Sequence, residues 1–223
     1  MKSKRLAALI SFSLVFTFLY SIAPVTADEN GNGRGDRIKC KPSKITAQMP
    51  KKVDAPANVL KRIPRFVTLK TNCGDIVIRT YNRQARATLT ALATLINANY
   101  YDNSACHRLA TDDFHVIQCG DPSATGLGDP GFSVRSENLP EATEDNYPKG
   151  TVAMSNLGRP RTTGSQFLIF YEDTTFLPAN YTIWGEVLDG MEIVEFIAEG
   201  GVRGGGSDGM PKRNLVIERI LTR

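Results

Sequence analysis

A mainly β chain of the α+β class is expected here, an antiparallel β-barrel with helices at its open ends. Three observations point to it. Short β-rich runs recur along the chain, only two stretches carry helical spacing, and nowhere do strands and helices alternate as βαβ units.

Taken in order, Phe66–Leu69 and Ile76–Ile78 are β-rich and flank Asn72-Cys73-Gly74-Asp75, a hairpin turn signal. Ala85, Leu89, Leu92, Ala93 and Ile96 recur at helical spacing and predict one amphipathic helix to about Asn97. Strand-like runs follow near 106–110, 115–119, 151–155, 166–171 and 182–187. A second helix fits Met191 to Ala198 and is stopped by Gly200-Gly201. The glycine-rich run VRGGGSDGM comes next, and Leu215 to Leu221 makes a last strand.

The folded domain is expected over 66–223, with two segments before it. Lys2, Lys4 and Arg5 precede an uncharged apolar stretch from Leu6 to Ala23, and Val25-Thr26-Ala27 supplies small residues for a signal peptidase. Residues 1–27 are read as a signal peptide. Retention as a membrane anchor is the competing reading, since the apolar stretch could just span a bilayer. The small-residue site and the polar DENGNGRGD after it favour cleavage. Residues 28–65 are polar, rich in Gly, Lys and Pro, and read as an extended arm.

Removing the signal changes the charge balance. The 223 residues carry 27 Lys/Arg against 23 Asp/Glu. Three of those bases lie in the signal, so 24 remain against 23 acids. A near-neutral exported chain gives no reason to expect nucleic acid as a partner, nor a membrane after cleavage. The four cysteines, Cys40, Cys73, Cys106 and Cys119, all lie beyond the signal and read as a disulfide framework. Composition leaves three connectivities open. Cys106 and Cys119 fall on neighbouring expected strands joined by a short loop, which favours Cys106–Cys119 and leaves Cys40–Cys73 to staple the arm to the first hairpin.

Three segments carry the chemistry: SACHRLATDDFHVIQCGD at 104–121, GTVAMSNLGRPRTTGSQFLIF at 150–170, and FLPANYTIWGEV at 176–187. Together they resemble the cyclophilins, peptidyl-prolyl cis/trans isomerases with the pattern FHR…FMxQGGD, GxxSMAN…GSQFF and WL…FG. The resemblance covers about Phe66 to Arg223 and is nearest to a secreted bacterial branch reading CHRL…QCGDP and LPxNYTxFG. It implies a closed eight-stranded barrel capped by two helices, a monomer located outside the cytoplasm, and proline-containing polypeptide segments as partners.

The chemistry is rotation about a Xaa-Pro bond, opposed by a barrier of about 20 kcal/mol. No bond to a leaving group forms or breaks, so no cofactor and no metal is expected. The catalyst must hold the proline in an apolar slot, grip the flanking backbone and stabilise the twisted amide, whose nitrogen gains a lone pair. A fixed guanidinium aimed at that nitrogen does the last of these. By resemblance Arg108 is the catalytic arginine and Gln118 the glutamine that bonds the substrate backbone. Ser155 and Asn156 match a peptide-holding Ala-Asn pair, and Gln166 supports the groove. The proline slot falls on His115, Val116, Leu168, Phe176, Leu177 and Tyr181. His115 and Leu168 stand where the family has phenylalanine, which predicts a weakened slot. Phe114, one position before His115, is assigned by strand alternation to the opposite face from it; the alternative is that the longer loop bends so that Phe114 fills the slot and His115 faces solvent. The competing class is a peptide-binding module or holdase on the same barrel, with catalysis lost.

Four other signals are set aside. Arg34-Gly35-Asp36 is a chance tripeptide in a polar arm. Cys106, His107, His115 and Cys119 have metal-like spacing, but adjacent strand residues face opposite ways and exported cysteines oxidise. Gly205 to Gly209 is a literal G-x-S-x-G without the strand-to-helix context a nucleophile elbow needs. Asn180-Tyr181-Thr182 is a glycosylation sequon at the expected pocket rim.

Overall fold

The computed structural model describes residues 38–43, 47–158, 161–174 and 177–223. The signal segment, Arg34-Gly35-Asp36 and Phe176 lie outside these residues. Among the described residues no helix is long and apolar enough to cross a membrane.

The expected first hairpin is β1 (Phe66–Thr71) and β2 (Gly74–Thr80), closed where Thr71 faces Gly74. Gly74 has φ 126°, and the Thr71 hydroxyl both donates to its carbonyl and accepts from the Cys73 amide. Helix α1 (Arg86–Asn97) follows, burying Leu89, Leu92, Ala93 and Leu95. Its N-cap residue, Ala85, has no capping side chain, and the Thr88 amide donates instead to Glu137 at 2.6 Å. A carboxylate borrowed from a distant loop thus satisfies a first-turn donor and the helix dipole.

The remaining strands are β3 (Ser104–Ala105), β4 (Arg108–Asp112), β5 (Phe114–Cys119), β6 (Thr151–Met154), β7 (Phe167–Phe170) and β8 (Ile183–Asp189). Helix α2 (Met191–Glu199), β9 (Asp208–Gly209) and β10 (Val216–Thr222) complete the chain. All ladders are antiparallel.

The expected closed eight-stranded barrel is not what forms. Among the described residues the sheet has ten strands in the open order β3-β10-β1-β2-β8-β6-β7-β5-β4-β9. The run expected near 106–110 breaks because neighbouring residues serve different strands. The Cys106 amide donates to Leu215, just before β10, whereas the His107 amide donates to Gln118 on β5. The chain crosses from one end of the sheet toward the other at these two residues, and β9 adds a short tenth strand beside β4.

Alternation along the strands separates two apolar clusters. Ile117 of β5, Val152 and Met154 of β6, and Phe167 and Ile169 of β7 join the main core with Trp184, Tyr101 and the inner side of α1. Val116, Ala153, Leu168 and Phe170, the alternate residues of those strands, form a second cluster with Ala110 and Tyr147. Disulfides join Cys106 to Cys119 and Cys40 to Cys73, the connectivity expected from the strand positions. The arm runs along the domain: Gln48 and Val53 donate backbone bonds to Pro122 and Pro130, and Lys41 to Asn72.

Candidate active site

Strand register brings the first site residues together. Arg108 on β4 lies directly opposite Gln118 on β5, so their side chains share a face. The Arg108 Nη1 donates to Gln118 Oε1 at 3.3 Å. Gln118 is 8% exposed, and its amide donates to Gln166 Oε1 at 2.7 Å and to the Ser155 hydroxyl at 3.3 Å. The Gln166 amide in turn donates to the carbonyls of Gly126 and Gly128. One hydrogen-bonded row therefore runs from Arg108 to the 121–130 loop, along a cleft of about 530 Å³. Asn156 also lines the cleft, but its side chain is engaged, donating to Asn180 and accepting from Gly158.

The cleft loop is organised by Asp121, which is fully buried and accepts from the amides of Ser123, Thr125, Gly126 and Gly128. Burial would raise this carboxyl, but the bonds from Ser123 and Gly128 outweigh it and hold the group below the ordinary carboxylate value. His107, also at the cleft, is 8% exposed and neither ring nitrogen meets a partner at hydrogen-bonding geometry, although the Gln166 amide lies near. Burial pushes its pKa below the ordinary value.

Beside Arg108 the second apolar cluster gathers Val116 and Leu168, with Leu177 and Tyr181 packed against it. The loop carrying the last two is tied down by residues that sequence reasoning did not single out. Asn146 donates to the Leu177 carbonyl, and the Tyr147 hydroxyl donates to Pro178 and accepts from the Tyr181 amide. Tyr147 also stacks on Phe170, ring centroids 5.0 Å apart.

His115 is not brought to this slot. β5 runs without a bulge from Phe114 to Cys119, so residues an even number of places from Gln118 share its face. Those are Val116 and Phe114. The Arg108 guanidinium lies over the Phe114 ring at 5.2 Å, and Phe114 packs against the apolar cluster. His115 points the other way, toward a separate hollow, edge-on to Tyr171 with Nε2 3.6 Å from Glu172. Phe114 is the aromatic ring on the Arg108 face, and His115, expected there, lies on the opposite face of the strand.

Asp208, to which the sequence reading gave no role at the site, also belongs to it. The glycine-rich run that resembled a nucleophile elbow docks on β4 as β9, placing Ala110 opposite Asp208. Asp208 accepts from Arg108 Nε at 2.8 Å and Nη2 at 2.5 Å. That fork raises the arginine's pKa above its ordinary value and lowers the aspartate's below its own. A carboxylate about twenty residues beyond the last recognised motif carries no local signal that it will meet Arg108.

Residues 66–222 match the model of the cyclophilin type peptidyl-prolyl cis-trans isomerase family. The chain belongs to that family. Among similar proteins is a probable peptidyl-prolyl cis-trans isomerase B of Mycobacterium leprae, 34% identical over 197 residues, covering 79% of this chain and 66% of the relative. A protein of the same description from Mycobacterium tuberculosis is 37% identical over 166 residues, covering 70% of this chain and 53% of the relative. The chain thus spans between half and two thirds of the length of these relatives. A crystal structure of a Cryptosporidium parvum cyclophilin type isomerase superposes with TM-score 0.61 at 27% identity, covering 72% of this chain and 98% of that one. A second structure of that cyclophilin, determined in the presence of the dipeptide Ala-Pro, matches at the same TM-score.

Proposed function

We propose that this cyclophilin catalyses cis/trans isomerisation of Xaa-Pro bonds in exported polypeptides, outside the cytoplasm. The observation that carries the reading is a guanidinium held rigidly at the junction of a polar cleft and an apolar slot. The slot of Phe114, Val116, Leu168, Leu177 and Tyr181 suits a proline ring, and the cleft of Gln118, Ser155, Asn156 and Gln166 suits the preceding backbone. Arg108 lies between them and can donate toward the amide nitrogen as it pyramidalises, which stabilises the twisted state more than either planar one. Gln118 acts mainly through Arg108: its amide hydrogens go to Ser155 and Gln166, and its carbonyl accepts from the guanidinium. Catalysis is expected to be weaker than a slot walled by two phenylalanines would give, because Leu168 leaves one wall aliphatic. The two disulfides and the N-terminal segment, read as a cleaved signal, support export.

The test is isomerisation of a short proline peptide by the parent, Arg108→Ala and Arg108→Lys. The alanine variant is expected to lose about 10²-fold or more in kcat/KM, the usual cost of one oriented donor. Lysine should rescue poorly, since a point charge cannot reproduce the fork. A parent without activity that still binds proline peptides would establish the rival reading, a binding module or holdase. Unchanged turnover in Arg108→Ala would remove this residue from the mechanism.

A further inference from the structure

We infer that Asp208 is a positioning residue for Arg108: its carboxylate forks one edge of the guanidinium and so aims the opposite edge at the bond being rotated. The inference rests on the isomerase reading and deepens it at the same site.

A guanidinium has five N–H groups in a rigid plane. Asp208 takes the Nε–H and one Nη2–H, and Gln118 takes one Nη1–H. Two N–H groups remain, one on each terminal nitrogen, and these are the ones a substrate amide can use. The ring of Phe114 lies under the same plane. The carboxylate, the glutamine carbonyl and the aromatic face thus define the plane and its rotation together. An arginine side chain loses its rotamer freedom when fixed, and here that loss is met in the free protein rather than at the transition state.

The delivery of Asp208 is built into the fold. Gly204, Gly205 and Gly206 have φ of 77°, 81° and 91°, a sequence of left-handed residues that lets the chain turn back onto the sheet. The Thr111 amide and hydroxyl both bond Ser207 O, holding β9 against β4. At Gly209, φ is 152° and an added Cβ would come within 2.9 Å of Val202. The Asp-Gly pair is therefore seated on both sides. The opposite role is also open to a carboxylate here: it could mask the positive charge and slow the reaction. The direction of the effect of removing it separates the two.

The experiment uses the full exported chain with Asp208→Asn, Asp208→Glu, Arg108→Ala and the double variant Arg108→Ala with Asp208→Asn. Turnover and KM are measured on one proline peptide, and the Arg108 Nε–H is followed by nitrogen-15 NMR. Asp208→Asn is expected to lower kcat by about ten- to a hundredfold, the scale of a misplaced catalytic group, with KM within about twofold. Asp208→Glu should recover part of kcat. In the Arg108→Ala background Asp208→Asn should cost nothing more, because its target is gone. The Arg108 Nε–H, slow to exchange in the parent, should exchange fast in Asp208→Asn.

Unchanged or raised kcat in Asp208→Asn, with Arg108→Ala still impaired, overturns the positioning role and leaves the isomerase reading standing. An equal loss in the Arg108→Ala background overturns it too, since the effect would then be general to the fold. A parent with no turnover overturns both readings. In that case an unaltered Nε–H exchange rate in Asp208→Asn would show that the fork does not fix the arginine at all.

Discussion

At position 114 a phenylalanine ring lies under the Arg108 guanidinium, and the imidazole one residue later faces Glu172 on the other side of the strand. Phe114→Ala is therefore expected to remove the aromatic wall and lower kcat/KM by about tenfold or more, while His115→Ala leaves it within about twofold. The pair of variants, assayed on the same peptide, decides the matter: loss on His115→Ala and none on Phe114→Ala would restore the original register. Two ways of counting disagreed at this strand. Matching the family motif back from Gln118 put the aromatic role on His115, whereas parity along a bulge-free strand puts Phe114 on the face of Gln118. Parity was legible in the residues; the absence of a bulge was not, because it depends on pairing with β4 and β7. Arg108, Gln118, Ser155 and Gln166 do lie together, and each sits within a few residues of a recognisable run. Asp208 had no such neighbour.

Elements, rather than single residues, govern how firmly the cleft is held. The 121–130 loop is braced from inside by Asp121 and from outside by the arm, whose Gln48 and Val53 amides bond Pro122 and Pro130. The arm is in turn pinned by Cys40–Cys73, a link across 33 residues, against 13 for Cys106–Cys119. In the chain-entropy picture the longer loop stabilises by about 4 kcal/mol and the shorter by about 3. Replacing both Cys40 and Cys73 by serine should therefore lower unfolding free energy by the larger amount, read from denaturant melts. Replacing Cys106 and Cys119 should cost less in stability but more in turnover, because His107 and Arg108 follow Cys106 directly. A larger turnover loss from the arm pair would show that the arm's brace outweighs the crossover. The hairpin and both helices were readable from turn residues and spacing, with helix ends within a residue of those found. The two-residue strands were not, since their pairing is set by where the chain must cross and not by their own composition.

For the molecule as a whole, the two core clusters lie on opposite faces of shared strands, and a buried imidazole sits near the cleft between its main core and solvent. Burial holds His107 below the ordinary histidine value near 6.5. Below that value the unfolded chain binds a proton that the folded molecule resists, so stability is present in full above about pH 6.5 and declines as pH falls. The slope is at most about 1.4 kcal/mol per unit for one proton. His107→Gln should flatten the Tm–pH curve below about pH 6.5, whereas a curve parallel to the parent's would locate the acid sensitivity elsewhere. The Arg108–Asp208 pair titrates in another window. The aspartate's lowered pKa keeps the fork intact through neutral pH, and it is lost only as pH falls below the ordinary carboxylate range.

The open strand order has a consequence for how the sheet ends. Unpaired strand edges are templates on which other extended polypeptides add and aggregate. Here both ends of the order, β3 and β9, are only two residues long. They cover their neighbours over two residues apiece, β3 at Val216–Ile217 of β10 and β9 at Leu109–Ala110 of β4. Neither terminal strand by itself is long enough to template an added strand. The same short terminal strands give copies of this protein little backbone of their own on which to stack when crowded together.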